Sequence, residues 1–293
     1  MPSSDEKVLA PGLYLVATPI GNLEDITLRA LRVLKQVDRI ACEDTRQTQK
    51  LLNHFAIKKL TVSYHLHNEN ERADDLITEL RAGGKIAIVS DAGTPGIADP
   101  GGRIVEAAIA AGVPVFPVPG ANAAVSALIA SGLPGESFFF HGFLPSKQGQ
   151  RKTFLEQLAR SAEEKNPTHV FYDSPQRIVE TLRDVEAVFG ATQSVVVARE
   201  LTKLHEEFLR GPVGELRGVL AGRATVRGEM VLLLAPAAAA GAAEGRPGIA
   251  AEVAGLAKTL GISEMDALKR VAKERGLGKS EAYRELQREQ RRR

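Results

Sequence analysis

Short runs of β-branched and apolar residues alternate with amphipathic stretches over the first 120 residues. The runs predict strands at residues 13–18, 39–42, 60–64, 85–90 and 113–118. Between them, apolar positions recur at helical spacing over residues 28–37, 45–55, 68–81 and 103–111. This alternation is typical of an α/β fold, a mostly parallel sheet with helices on both faces. The near-continuous apolar strands indicate burial on both sides.

A second series of elements follows residue 120. It predicts strands at residues 137–140, 168–172, 194–198, 206–210 and 229–234, and helices at 122–130, 151–164 and 176–188. The late strands follow one another without long helices between them, which favours antiparallel pairing and therefore a mixed sheet. The proline-rich stretch at 117–120 is the predicted hinge between a domain of residues 1–120 and a domain of residues 121–236.

The last part of the chain has a different composition. Residues 237–248 are rich in Ala, Gly and Pro and predict a flexible linker. Beyond it, three short helices are predicted at 249–260, 264–275 and 280–291, within a helical module of residues 249–293 that ends in arginines. Such a module fits a helix-turn-helix-like nucleic-acid binder or a packing appendage, and the pattern favours neither.

Composition narrows the class of protein. Among 293 residues, 38 basic side chains nearly balance 36 acidic ones, so net charge does not indicate nucleic-acid binding over the whole chain. The single cysteine, Cys42, excludes an internal disulfide and fits a reducing cytosol, so we expect a cytoplasmic protein. No apolar run approaches the ~20 residues of a membrane span, and the polar start is unlike a signal peptide.

Residues 90–102 form the most informative loop of the chain. They follow the apolar strand at 85–90 and contain four glycines, two prolines and the aspartates Asp91 and Asp99. Ligands of open α/β sheets bind at the carboxyl ends of strands, where glycine allows close backbone approach. The loop has neither a Walker A lysine nor a GxGxxG pattern, and carboxylates repel phosphate. It therefore favours a ligand with hydroxyls, an amine or a sulfonium; a rigid connection is the alternative.

Two further strand ends carry candidate chemistry. The first, at residues 17–25, offers Gly21 for close backbone approach. The second places Glu43 and Asp44 beside Arg46. Adjacent carboxylates at a strand end can orient or deprotonate a substrate hydroxyl. Helix capping by Asp44 is the alternative interpretation.

Histidines and basic residues supply candidate substrate contacts. His65 and His67 lack a third ligand at convincing spacing, so we predict no metal site and assign them to a substrate-facing loop. Lys147 and Arg151 form a basic segment at a helix start that would hold phosphates, unless it is simply solvated. Arg199 belongs to a charged cluster at another strand end and is assigned to the same substrate.

Five motifs, in order, resemble one family. They are residues 15–26, 42–46, 90–101, 171–177 and 228–231. Together they resemble the small-subunit ribosomal RNA methyltransferase I family of the tetrapyrrole-methylase superfamily, over about residues 12–236. The loop at 90–101 is the most specific of these motifs, whereas the C-terminal helices resemble the family only weakly.

The resemblance implies a two-domain fold that holds S-adenosylmethionine between its domains. It also implies a homodimer and 2′-O-methylation of a cytidine (cytidine-1402) in 16S rRNA of the 30S subunit. Carried over motif by motif, the implied cofactor-binding residues are Pro19, Ile20, Gly21, Asp91, Gly93, Thr94, Asn122, Ala123, Tyr172 and Glu229. For the reaction itself, we expect Asp44 to assist loss of the hydroxyl proton, and we expect Glu43 and Arg46 to orient the substrate hydroxyl.

One departure from the superfamily concerns the substrate. Tetrapyrrole enzymes read Gly-Asp-Pro where this chain reads Ser90-Asp91-Ala92. The retained aspartate fits the cofactor, whereas the changed neighbours put a porphyrin-like ring in doubt. Two rivals remain open: a small-molecule, tetrapyrrole-type methyltransferase, and a noncatalytic RNA-binding protein of ribosome assembly.

Overall fold

The computed structural model describes residues 8–65, 69–99, 101–160, 167–236, 249–275 and 278–290. The part of the chain up to Pro236 forms one compact unit, and the helices from Ile249 onward form a second. The predicted linker at 237–248 and His67 lie outside the described residues.

The first half of the larger unit is built on a five-stranded sheet. Its strands are β1 Gly12–Val16, β2 Arg39–Cys42, β3 Leu60–Ser63, β4 Lys85–Val89 and β5 Val115–Val118. They are ordered β3-β2-β4-β1-β5, and every pair is parallel. The connecting helices are α1 Leu28–Gln36, α2 Thr45–His54, α3 Glu69–Arg81 and α4 Gly102–Ala110. The predicted parallel α/β architecture is confirmed.

Both faces of this sheet are buried, which explains the apolar strands. On one face, Val16 of β1 packs with Leu34 of α1 and Leu52 of α2. On the other, Leu13 of β1 packs with residues of α3 and α4. Since successive strand residues point to opposite faces, β1 must be apolar throughout.

The second half carries a mixed sheet. Its elements are α5 Ala123–Ser131, β6 Phe138–Phe143, α6 Gln148–Arg160, β7 Thr168–Asp173, α7 Ile178–Phe189, β8 Ser194–Arg199, β9 Glu207–Pro212, α8 Val213–Ala221 and β10 Met230–Leu234. The order is β6-β7-β10-β8-β9; β6 and β7 are parallel, and the other neighbours are antiparallel. The mixed sheet is as predicted. The division of the unit at residue 120 coincides with the change of sheet and stays a prediction.

Helix α8 is an element that the sequence interpretation missed. Val213, Leu216 and Leu220 are buried in the core that the second sheet forms with α6 and α7. Their spacing places them on one face of a helix, so the signal was present in the pattern. The opposite face of this sheet is covered by α5, and Ile20 from the loop after β1 packs into that same cluster. The first loop is thereby fixed against the second half.

The C-terminal unit consists of α9 Ile249–Leu260, α10 Glu264–Arg275 and α11 Lys279–Gln290. They enclose a small core that includes Val253 and Leu268. Ser263 caps α10, since its hydroxyl accepts a hydrogen bond from the Asp266 amide at 3.1 Å. Nowhere in the described ranges is there a helix with the length and apolar character to cross a bilayer.

Candidate active site

The loops after β1 and β4 form one continuous wall at the carboxyl edge of the first sheet. Thr18 and Gly93 exchange two backbone hydrogen bonds, of 2.8 and 3.1 Å. The Thr18 hydroxyl also donates to the Ser90 carbonyl at 3.2 Å. Because β1 and β4 are neighbours in the sheet, their loops meet where the sequence placed a ligand site.

Glycine is required where this wall is packed most tightly. Gly93 has a φ of +81°, and a Cβ there would lie 3.2 Å from Ile20 Cγ2. A Cβ on Gly120 would lie 2.9 Å from the Ala17 Cβ. The Thr94 hydroxyl donates to the Ala121 carbonyl at 3.1 Å and so joins the loop after β4 to the loop after β5.

A cavity of 630 Å³ lies between this wall and the ends of β7, β8 and β10, and we call it the large cavity. Eight of the ten predicted cofactor-binding residues line it: Ile20, Asp91, Gly93, Thr94, Asn122, Ala123, Tyr172 and Glu229. Pro19 and Gly21 line a smaller neighbouring cavity of 310 Å³, the small cavity, instead. The contact of these residues with a cofactor stays a prediction.

Six carboxylates line the large cavity, and three of them, Glu43, Asp91 and Asp99, come from the loops of the first sheet. Burial, together with the negative charges of Glu43 and Asp91, raises the pKa of Asp99 from 3.8 to about 6. Burial and the Asp91 charge also raise the pKa of Glu43, although nearby His65 opposes this. The backbone amide of Asp44 donates to Asp91 Oδ1 at 3.1 Å and holds that side chain in place. Such a cluster favours a ligand that carries positive charge.

Asp173, at the end of β7, has a carboxylate oxygen without a partner. Only 4% of the residue is exposed, and it lines the large cavity. Oδ1 accepts a hydrogen bond from the Ser174 amide at 2.7 Å, whereas Oδ2 has no hydrogen-bond partner among the described residues. Buried polar atoms in proteins are nearly always paired, so an orphaned acceptor in a cavity wall fits a ligand that donates from an amine or hydroxyl.

Asp44 has the helix-capping position that was the alternative interpretation of its motif. It caps α2, and its carboxylate accepts hydrogen bonds from the Arg46 amide at 2.8 Å and from the Arg46 guanidinium at 2.8 and 3.1 Å. These bonds lower its pKa to about 2, which makes it a weak base, and it lines neither cavity. The Arg46 side chain is 87% exposed and is engaged by Asp44. The role of Asp44 as proton acceptor stays a prediction that this geometry does not favour; of this motif, Glu43 lines the large cavity.

Three of the predicted substrate-binding residues, Lys147, Arg151 and Arg199, line neither cavity. Arg151 is 1% exposed, and its Nε lies 2.7 Å from the buried carboxylate of Asp184, so this guanidinium is a core ion pair and cannot meet a substrate. Arg199 pairs with Glu207 at 2.9 Å and lines neither cavity. Lys147 is exposed just before α6, away from both cavities. The described residues contain no His, Cys, Asp and Glu cluster arranged to hold a metal.

Lys203 belongs to the charged cluster after β8, residues 199–203, from which the sequence analysis assigned only Arg199 to the substrate. Its ammonium lies 2.8 Å from Glu200 Oε1 and 3.0 Å from Glu229 Oε2, and it borders both cavities. A Cβ on Gly21 would overlap the Lys203 side chain, so Gly21 is needed for the lysine to lie across the first loop. No sequence pattern could reveal this contact, because the two residues belong to different halves of the unit.

The sequence matches the Tetrapyrrole (Corrin/Porphyrin) Methylases family over residues 12–217. Curated relatives include proteins named ribosomal RNA small subunit methyltransferase I. The one from Halalkalibacterium halodurans is 54% identical over 222 residues, which is 76% of this chain and 75% of the relative. The one from Vibrio cholerae is 51% identical over 226 residues, 77% of each chain.

Solved structures share the fold at low identity. The methyltransferase CobJ has a TM-score of 0.57 at 18% identity, over 78% of this chain and 95% of that one. Uroporphyrin-III C-methyltransferase from Thermus thermophilus, solved with S-adenyl homocysteine, has a TM-score of 0.52 at 23% identity, over 76% and 97%. Because the family model matches most of the larger unit, and because the curated relatives are about half identical in sequence, this chain belongs to the tetrapyrrole methylase family.

Proposed function

We propose that this chain is an S-adenosylmethionine-dependent methyltransferase that acts on the ribose 2′-oxygen of a cytidine in 16S rRNA. The observation that carries the proposal is the identity of 46–54% with proteins named ribosomal RNA small subunit methyltransferase I. The large cavity supports it independently, since its chemistry suits the methyl donor. The finer specificity, a cytidine ribose, comes from the family resemblance.

The residues of the large cavity fit S-adenosylmethionine, which supplies an electrophilic methyl group on a cationic sulfur. Asp91, Asp99 and Glu43 provide negative charge for the sulfonium and the amine. The unpartnered Oδ2 of Asp173 would accept from an amine or hydroxyl. Apolar side chains, among them Ile97, line the same cavity and suit an adenine ring.

A ribose hydroxyl is a weak nucleophile, so this chain must help it to lose its proton. As the oxygen bonds to the methyl carbon, the carbon–sulfur bond breaks and its electron pair stays on sulfur, while the hydroxyl proton passes to a carboxylate. Asp99 is the best-matched acceptor, because its pKa of about 6 lies near neutrality and it lines the large cavity. Glu43, whose pKa is also raised, is the second. Holding the hydroxyl and the donor in line supplies the rest of the acceleration.

The test is methyl transfer to 30S particles from a strain without this modification. The purified chain is incubated with the particles and with donor labelled in its methyl group. Label in 16S rRNA, released by nuclease digestion as 2′-O-methylcytidine, is the expected result. Label on a base, or transfer to a uroporphyrinogen and not to RNA, would contradict the proposal. RNA binding with no transfer would favour the noncatalytic rival.

Two expectations accompany this function. A ribosomal substrate implies a cytoplasmic enzyme. We also expect a homodimer, and β6, at one edge of the second sheet, offers an apolar surface for a second copy, since Phe138 and Phe139 are 40% and 43% exposed. Light scattering should give twice the mass of the 31.4 kDa chain, and Phe138→Asp should reduce it to a single chain.

A further inference from the structure

The small cavity is a second feature of the same edge of the sheet. Gln47, Lys50 and Leu51 of α2 line one side, and the loop after β1 lines the other. It shares a boundary with the large cavity, formed by Ile20, Asp91, Ala92, Lys203 and Glu229. These residues of α2 line the small cavity and not the large one, so their chemistry needs a separate account.

The α2 side of the small cavity offers one cation and one amide. The Lys50 ammonium donates a hydrogen bond to the neutral Gln47 Oε1 at 3.1 Å. Among the described residues Lys50 forms no ion pair, whereas Lys203 is already paired with Glu200 and Glu229. Lys50 is therefore the cation of this cavity that remains available to an anionic group.

A buried hydroxyl also points to a ligand. Thr48 is 4% exposed and lines the small cavity. Its hydroxyl has no hydrogen-bond partner among the described residues other than the weakly polar Cys42 thiol, whose pKa it acts to lower. A buried hydroxyl with so weak a partner is stabilised when a ligand or water also pairs with it. Beside it, Leu51 and Leu23 supply apolar surface for a flat ring.

We propose that the small cavity is the subsite for the acceptor nucleotide, an inference that rests on the function proposed above. In-line transfer needs donor and acceptor in adjoining spaces with the reacting atoms at their boundary, which is the arrangement of the two cavities. The Gln47 amide, which both donates and accepts, matches a pyrimidine edge. Lys50 matches the phosphate next to the acceptor ribose, and Thr48 matches a hydroxyl or carbonyl of the nucleoside.

Substitutions on α2 test this subsite in the full chain. Lys50→Ala and Gln47→Leu should each raise KM for 30S particles about tenfold, with little change in kcat, as for loss of one good base or phosphate contact. Calorimetric affinity for S-adenosylmethionine should stay at the wild-type value. For Lys50→Ala, the slope of log affinity for a cytidine-containing oligonucleotide against log salt should fall by about 0.7, the contribution of one phosphate on a single strand. Lys50→Arg should restore the slope.

Lys58→Ala is the matched control. Lys58 is exposed in the turn that leads into β3, at the amino edge of the sheet. Lys58→Ala therefore removes the same charge as Lys50→Ala, but at a position far from both cavities. Wild-type KM and salt slope are expected for it. Unchanged KM in both α2 variants together with an unchanged slope for Lys50→Ala, or a parallel loss of cofactor affinity, would overturn the subsite while leaving the proposed function intact. Failure of the wild-type chain to methylate RNA would overturn both.

Discussion

The two walls of the large cavity are held by different kinds of interaction. On the side of the first sheet, the loops close through backbone hydrogen bonds between Thr18 and Gly93 and through tight packing at glycine. On the opposite side, Lys203 holds the wall through ion pairs with Glu200 and Glu229. Salt screens partly exposed ion pairs but leaves backbone packing unchanged. We therefore expect the first wall to decide whether the cofactor binds and the second to adjust its affinity.

The same comparison separates catalysis from binding. The first wall carries Asp99 and Glu43, the carboxyl groups whose pKa values are raised. The second wall carries Asp173, whose unpartnered oxygen can accept a hydrogen bond from an amine or hydroxyl of a ligand. Proton acceptance is thus assigned to the first wall, and the second wall adds recognition of the cofactor.

The largest expected effect comes from Asp99→Asn. Loss of the proton acceptor should lower kcat about a hundredfold, the usual scale for one acid–base group. Wild-type kcat should fall on the acid side with a midpoint near pH 6, where Asp99 takes up a proton, and the variant should lose this limb. A pH series of single-turnover rates measures both. Glu106→Gln, an exposed carboxyl on α4, is the control.

Stability should follow the same titration with a defined sign. The folded pKa of Asp99, about 6, exceeds its ordinary value of 3.8. Protonation therefore stabilises the fold fully below about pH 4, and that contribution is lost as the pH rises through 6. The Tm of Asp99→Asn relative to wild type should rise between pH 4 and pH 7. A constant difference in Tm, or a kcat profile that keeps its acid limb, would move the proton acceptor to Glu43.

Gly93→Ala tests the tight packing of the first wall. An alanine Cβ would lie 3.2 Å from Ile20 Cγ2 and would displace Ile20, which lines the large cavity. We expect the Kd for S-adenosylmethionine to rise about tenfold, equivalent to about 1.4 kcal/mol. Gly96→Ala is the matched control, because Gly96 has nearly the same φ, +82°, and a Cβ there would meet nothing within 4 Å.

Both alanines should cost about 1 kcal/mol of stability through backbone strain at positive φ. Only Gly93→Ala should also weaken cofactor binding in calorimetry. Equal cofactor affinities in the two variants would mean that strain, and not the contact with Ile20, is what matters at these positions. The distinction between the first wall, held by tight packing, and the second wall, held by ion pairs, would then have no support.

The fold could be predicted from the sequence because each pattern that indicates it involves residues close together in the chain. Buried parallel strands such as β4 must be apolar throughout, and the glycine-rich loop after it follows from the ligand position at strand ends. Side-chain partners are not local in this way. The sequence pattern predicts that Arg151 is an exposed basic side chain, whereas in the structure it forms an ion pair with Asp184 of α7 in the core. Lys203 crosses Gly21 only because the two halves of the unit meet.

The surroundings of Asp44 were hard to predict for a related reason. A strand end with two carboxylates is compatible with catalysis and with helix capping, and the spacing is the same for both. The choice depends on which carboxylate Arg46 engages. In the structure Arg46 binds Asp44, which leaves Glu43 to face the large cavity. Two carboxylates that are adjacent in the sequence therefore have different surroundings, because Arg46 forms an ion pair with Asp44 and not with Glu43.

Lys203→Met should have the smallest effect and tests the second wall. Methionine keeps an alkyl chain over Gly21 but leaves Glu200 and Glu229 without their cation. Since partly exposed pairs contribute about 0–1 kcal/mol, the Kd for the cofactor should change by less than about fivefold at low salt. The change should disappear near 1 M salt, where the Debye length is about 3 Å. Lys269→Met, which breaks a similar ion pair in α10, should leave the Kd unchanged at every salt concentration. A salt-independent loss larger than that of Gly93→Ala would mean that the ion-paired wall, and not the backbone-packed one, decides whether the cofactor binds.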